Sequence, residues 1–238
     1  MLSEKPWRMD IVLQYLLLVM AGFCGGMLLV AWFTSEHAPI RVPEDYATII
    51  GGTLSFHGVV LALLPWLLRE HGTGSGLAFG FSTPRMWRAA GFGILIGVIT
   101  LPLIIGLGEL SAIIFQLLGM KTELQAPVQM LQKQPGWPLS VTIFFAAVIL
   151  APVAEEIVFR GILYPSVKQL GFPRMALWGT SLLFAVIHSN RMTILPFTVL
   201  ALMLTFVYER TNNLLSSIVM HAFFNLVNFL RVALSPGA

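Results

Sequence analysis

Seven apolar runs divide this chain, roughly Ile11–Phe33, Tyr46–Leu68, Ala89–Leu118, Leu139–Tyr164, Met175–His188, Thr193–Tyr208 and Leu214–Leu234. Crossing the hydrocarbon core of a bilayer takes about 20 residues of helix, and several of these runs reach that length. In hydrocarbon the backbone must satisfy its own N–H and C=O groups, so apolar runs of this length predict α-helices. The expected fold is all-α: a polytopic transmembrane helix bundle of about seven helices, forming a single integral membrane domain over residues 1–238. No tandem repeat or low-complexity tract breaks it. Charge agrees, since only 11% of residues are Asp, Glu, Lys or Arg, against about 25% in a soluble domain.

The formal charge of +3 is spread over short loops and forms no stripe for nucleic acid, so the partner to expect is the lipid bilayer. Cys24, the single cysteine, lies within the first run and supports no disulfide framework. That run exceeds a signal-peptide core and is read as a membrane anchor. Pro102 and Pro152 interrupt the third and fourth runs, where a kink is expected. The mostly polar stretch Glu123–Gln134 reads as a short turn along the interface. With the N-terminus inside, eight loop lysines and arginines fall on the inner side (Lys5, Arg8, Arg69, Arg85, Arg88, Lys168, Arg174, Arg210). Five fall outside (Arg41, Lys121, Lys133, Arg191, Arg231), which favours a cytoplasmic N-terminus.

The fourth run holds the feature that needs a reason. Glu155, Glu156 and Arg160 lie in an otherwise hydrocarbon-soluble stretch, and one charge at bilayer depth costs roughly 2.5–3.5 kcal/mol. Glu156 and Arg160 are i and i+4, one above the other on a helix, where they can pair. Glu155 is rotated by about 100° and is left facing something else. Two further runs carry polar groups: His188, closing Phe184-Ala-Val-Ile-His188, and His221 with Asn225 in His221-Ala-Phe-Phe-Asn225. At about 1.5 Å per residue, Glu155 and His188 fall roughly 20 Å from one membrane face and His221 about 10 Å, with Asn225 a turn deeper. Given some bending of the helices, these four polar groups on three helices can meet in one layer.

Each has a plain structural reading: an ion pair for the acidic stretch, an interface histidine for His188, a helix–helix hydrogen bond for His221 and Asn225. Together they also suit hydrolysis. Glutamate can take a proton from water, histidine can share it, and donors can stabilise an oxyanion; the same groups could hold a divalent metal. His57 and Glu109 stand alone in their runs and read as structural or cavity-lining, and Phe184, Phe223, Phe224 and Phe229 as packing. There is no H-E-x-x-H, and the only aspartates, Asp10 and Asp45, lie at segment ends, so neither a zincin nor an intramembrane aspartyl dyad is available.

Glu155-Glu156-x-x-x-Arg160, Phe184-x-x-x-His188 and His221-x-x-x-Asn225, in this order and each on its own helix, resemble the three motifs of the CAAX protease and bacteriocin-processing (CPBP, or Abi) family. The resemblance covers about residues 139–230, a CPBP-like catalytic core; the earlier helices match only as generic membrane helices. It implies an intramembrane glutamic endopeptidase related to the CAAX prenyl endopeptidases. Glu155 and His188 would then activate water, His221 and Asn225 would form the oxyanion hole, and Glu156 and Arg160 would be structural support. It implies no metal and no cofactor, and a hydrophobic or lipidated peptide as substrate. The alternative is a non-catalytic membrane immunity or scaffold protein using the polar cluster for packing or partner binding; a transporter is a weaker third.

Overall fold

The computed structural model describes residues 2–38, 42–81, 86–120 and 125–234. Among these residues there are helices and connecting turns but no strand. In chain order the helices are α1 (Met9–Thr34), α2 (Glu44–Glu70), α3 (Ser75–Phe79), α4 (Met86–Leu117), α5 (Ala126–Gln132), α6 (Trp137–Gln169), α7 (Pro173–Ile187), α8 (Arg191–Thr211) and α9 (Leu215–Leu234). Six of them, α1, α2, α4, α6, α8 and α9, are long and apolar enough to cross a membrane. This is an integral, multi-pass membrane protein.

The expected fifth span is α7, which has 15 residues and extends only about 22 Å. Pro173 sits in its first turn, and Ser189, with φ of 53°, turns the chain away just after it. The expected interfacial turn is the short α5. Arg41, Arg85 and Lys121, which entered the count of loop charges, and Glu123 lie outside the described residues. The lipid-facing character of the bundle is plainest on α1: only 6% of its apolar window is buried in the protein, and Leu13, Leu17, Leu28 and Leu29 are exposed.

The chain forms two compact units. One comprises Met1–Lys5, Ser75–Ala126 and Glu156–Phe224; the other comprises Pro6–Gly74, Pro127–Glu155 and Asn225–Ala238. Two helices run from one unit into the other, α6 between Glu155 and Glu156 and α9 between Phe224 and Asn225.

In the first unit, α8 packs against both α7 and α4. Its core is Ile104, Leu200, Leu204, Val207, Met220 and Phe224. Gly93 on α4 lets backbones touch: a Cβ there would lie 2.2 Å from the Ser216 carbonyl oxygen, a distance that backbone cannot yield. The N-terminal residues are tied down here too. The Leu2 amide donates to Glu209 at 3.3 Å, Lys5 Nζ donates to Asn212 Oδ1 at 3.1 Å, and Gln169 Nε2 donates to the Lys5 carbonyl at 2.9 Å. Burial lowers the Lys5 ammonium pKa below the usual lysine range.

In the second unit, the Tyr15 hydroxyl donates to the Val60 carbonyl at 2.8 Å and joins α1 to α2. Ile49, Met130, Leu139 and Ile143 form its core. Gly26 lies so near Ser55 that a Cβ would meet its Oγ at 2.1 Å.

Both α2 and α6 contain widened, π-helical turns: Ala47–Gly51 and Leu54–Gly58 in α2, Phe145–Leu150 and Ile157–Leu163 in α6. The turn at Phe145–Leu150 ends two residues before Pro152. In a regular helix that ring would clash with the Val148 carbonyl, and widening the preceding turn relieves the clash. Glu155 and Glu156 occupy the six-residue α-helical stretch between the two widened turns of α6.

Candidate active site

In the first unit Glu156 is fully buried and Arg160 nearly so, at 0% and 1% exposure. Arg160 Nη1 donates to Glu156 Oε1 at 2.7 Å, the i, i+4 reach of a single helix, and Nη2 donates to the Ala201 carbonyl at 3.2 Å. His221 Nδ1 lies 3.0 Å from the same Glu156 oxygen. With the carboxylate already accepting from the guanidinium, the ring nitrogen facing it is the one that carries hydrogen. Phe184 is the hub of this arrangement. Its ring lies 4.6 Å beneath the Arg160 guanidinium, 4.8 Å from the His188 ring and 5.7 Å from the His221 ring. His188 turns Nδ1 to the Phe184 carbonyl at 2.7 Å, which leaves Nε2 as the nitrogen presented away from its own helix. Phe197 also stands edge-on to His188 at 4.8 Å and lies 6.5 Å from Phe184.

In the second unit Glu155 Oε1 lies 3.3 Å from His57 Nε2, joining α6 to α2. Asn225 Nδ2 donates to the Ala147 carbonyl at 2.8 Å. The availability of that carbonyl follows from the sequence. In the widened turn the bonds run i to i+5, as the Ala151 amide to the Ala146 carbonyl shows. The next carbonyl, Ala147, would take its bond from residue 152, which is proline and has no N–H. The Asn225 amide supplies a donor to this carbonyl, which has lost its helical partner.

The six motif residues therefore fall into two sets. Glu156, Arg160, His188 and His221 gather around Phe184 in the first unit, and Glu155 and Asn225 belong to the second. His221 and Asn225, one turn apart on α9, hold different partners: a carboxylate and a carbonyl. Three contacts were missed by the sequence reading: His221 with Glu156, His57 with Glu155, and Asn225 with Ala147. Glu109 is exposed on α4. Among the described residues, no three His, Cys, Asp or Glu side chains are grouped as a metal ion requires.

Residues 137–227 match a family model described as type II CAAX prenyl endopeptidase Rce1-like. Two curated relatives are proteins of Lactococcus lactis subsp. lactis (strain IL1403). The UPF0177 protein YaiF is 36% identical over 88 residues, covering 37% of this chain and 39% of the relative. The UPF0177 protein YxdF is 32% identical over 79 residues, covering 33% of this chain and 43% of the relative. The matched segment thus spans about two-fifths of the length of each relative. No solved structure matches the chain. The matched region holds all three motifs, from Glu155 to Asn225, and over residues 137–227 the chain is similar to the Rce1-like type II CAAX prenyl endopeptidases.

Proposed function

We propose that the chain is a membrane endopeptidase of the glutamic type, cutting a hydrophobic or lipidated peptide held in the bilayer. Glu155 is the general base that takes a proton from water, and His188, through Nε2, shares that proton and returns it to the leaving amine. The hydroxide formed attacks the scissile carbonyl. His221 and Asn225 donate hydrogen bonds to the oxyanion that develops. A ring that keeps its Nδ1 hydrogen on Glu156 can donate from Nε2 only as the imidazolium, so the reaction needs His221 doubly protonated. Asn225 has two amide hydrogens; with one on Ala147, the second serves the oxyanion. Glu156 and Arg160 hold His221 and Phe184 in place. A bound metal has no step in this scheme.

The observation that carries this reading is the contrast between two neighbouring carboxylates. Glu156 is fixed by a guanidinium and an imidazole, both at hydrogen-bond distance, and has the surroundings of a structural anion. Glu155 meets His57 at a longer 3.3 Å. Adjacent carboxyl groups in different surroundings are the arrangement by which proteins give two acids two tasks.

The test is cleavage by the full chain reconstituted in lipid vesicles. The probe is an internally quenched peptide bearing a farnesylated cysteine near its C-terminus, set beside the same peptide without the lipid. The expected result is faster cleavage of the lipidated peptide and none by Glu155→Gln. Equal cleavage by wild type and Glu155→Gln would exclude Glu155 as the base, and no cleavage of either peptide would exclude this substrate class.

A further inference from the structure

His57 lies outside all three motifs yet reaches a motif residue, with Nε2 3.3 Å from Glu155 Oε1. Its side chain is 16% exposed and that of Glu155 12%, so neither has bulk water as its main partner. The other ring nitrogen, Nδ1, is buried and has no hydrogen-bond partner among the described residues. A histidine kept for packing costs free energy when a buried nitrogen goes unpaired, and its position in an apolar helix is otherwise open to leucine or phenylalanine. The ring is also aimed by unusual backbone. His57 lies in the widened turn Leu54–Gly58 of α2, and Phe56 stands edge-on to it at 5.3 Å. Glu155 lies between the two widened turns of α6. An extra residue in a helical turn re-aims the side chains that follow, and such turns are frequent at functional sites.

We propose that His57 is a positioning residue for Glu155: its Nε2 fixes the Oε1 edge of the carboxyl group and so sets the direction in which Glu155 meets the water it deprotonates. This rests on the reading of Glu155 as the base. His57 itself touches neither water nor peptide in the reaction. Misplacing a reacting group by about 1 Å can cost on the order of 10²-fold in rate, and that is the loss expected without the contact.

The test uses isolated membranes containing the full chain, with newly released peptides followed by mass spectrometry. The same preparations are melted to check folding. His57→Phe keeps an aromatic ring beside Phe56 but removes the nitrogen donor; His57→Gln keeps an amide donor of similar reach. Glu155→Gln is the control for the underlying reading. The expected result has three parts. Glu155→Gln releases none of the peptides that depend on the chain. His57→Phe releases them on the order of 10²-fold more slowly at unchanged melting temperature. His57→Gln recovers most of that rate. If Glu155→Gln releases the peptides normally, Glu155 is not the base and the positioning role falls with it. If Glu155→Gln is inactive while His57→Phe is fully active, or while His57→Gln is as impaired as His57→Phe, the base stands and the role of His57 is refuted. A lowered melting temperature in His57→Phe that tracks the loss of rate would make the contact structural and refute it equally.

Discussion

The bond between Asn225 and Ala147 gives the amide a structural task beside the catalytic one proposed for it, and the two can be measured apart. Asn225 donates at 2.8 Å to a carbonyl that lacks its helical partner because residue 152 is proline. An unpaired buried acceptor costs about 1–3 kcal/mol. Asn225 is only partly buried, and hydrogen bonds between membrane helices average about 0.6 kcal/mol, so Asn225→Ala is expected to cost roughly 1 kcal/mol. For a protein of this size that lowers the melting temperature by about 2–4 °C. In a Pro152→Ala background the residue-152 N–H returns and can bond the Ala147 carbonyl itself. There the same Asn225→Ala change is expected to cost less than about 0.5 kcal/mol, and the double-mutant cycle should show a coupling of roughly 0.5–1 kcal/mol. The assay is thermal melting of all four proteins in lipid nanodiscs. Turnover should behave differently, falling about 10²–10³-fold with Asn225→Ala in both backgrounds, because the oxyanion contact does not depend on residue 152. Equal losses of melting temperature in both backgrounds would refute the account of Ala147 as a carbonyl orphaned by Pro152.

Glu156→Gln and Arg160→Met are each expected to lower folding yield and melting temperature as well as activity, since removing one partner of a buried pair costs about 3–5 kcal/mol. Glu156→Gln with unchanged melting and lost activity would instead move the catalytic role to Glu156. Turnover is expected to survive exhaustive chelation; stoichiometric zinc in active protein, with activity lost on its removal and restored on its return, would overturn the metal-free scheme.

The membrane helices were legible because the bilayer acts on sequence through a single length scale. Runs of about 20 apolar residues mark themselves. The exception, α7, is a 15-residue helix whose run, Met175–His188, is short in the sequence as well. Glu156 and Arg160 were legible for the same kind of reason: i, i+4 neighbours are set by the helix alone, and the structure pairs them at 2.7 Å. His57 was not. Its contact with Glu155 joins residues 98 apart in the chain, and nothing local distinguishes a lone histidine in an apolar run from a packing residue. The contact of Asn225 with Ala147 was hidden differently. Reading α6 at the regular 3.6-residue period makes Pro152 a kink and assigns its lost bond to Val148; the widened turn moves the loss to Ala147. The signal was present, a proline five residues beyond the freed carbonyl, but it is readable only once the helix is known to be π-helical there. His221 and Glu156, 65 residues apart, needed the packing of α9 against α6 within the first unit.

The central claim is that Glu155 carries out chemistry that Glu156, its immediate neighbour, does not. It is tested most directly by the rate at which isolated membranes release chain-dependent peptides, compared between wild type and Glu155→Gln with both proteins shown to be folded and membrane-inserted. A positioned general base contributes about 10²–10⁴-fold. The expected result is a loss of at least that size in Glu155→Gln at an unchanged melting temperature. Release at the wild-type rate by folded Glu155→Gln would contradict it.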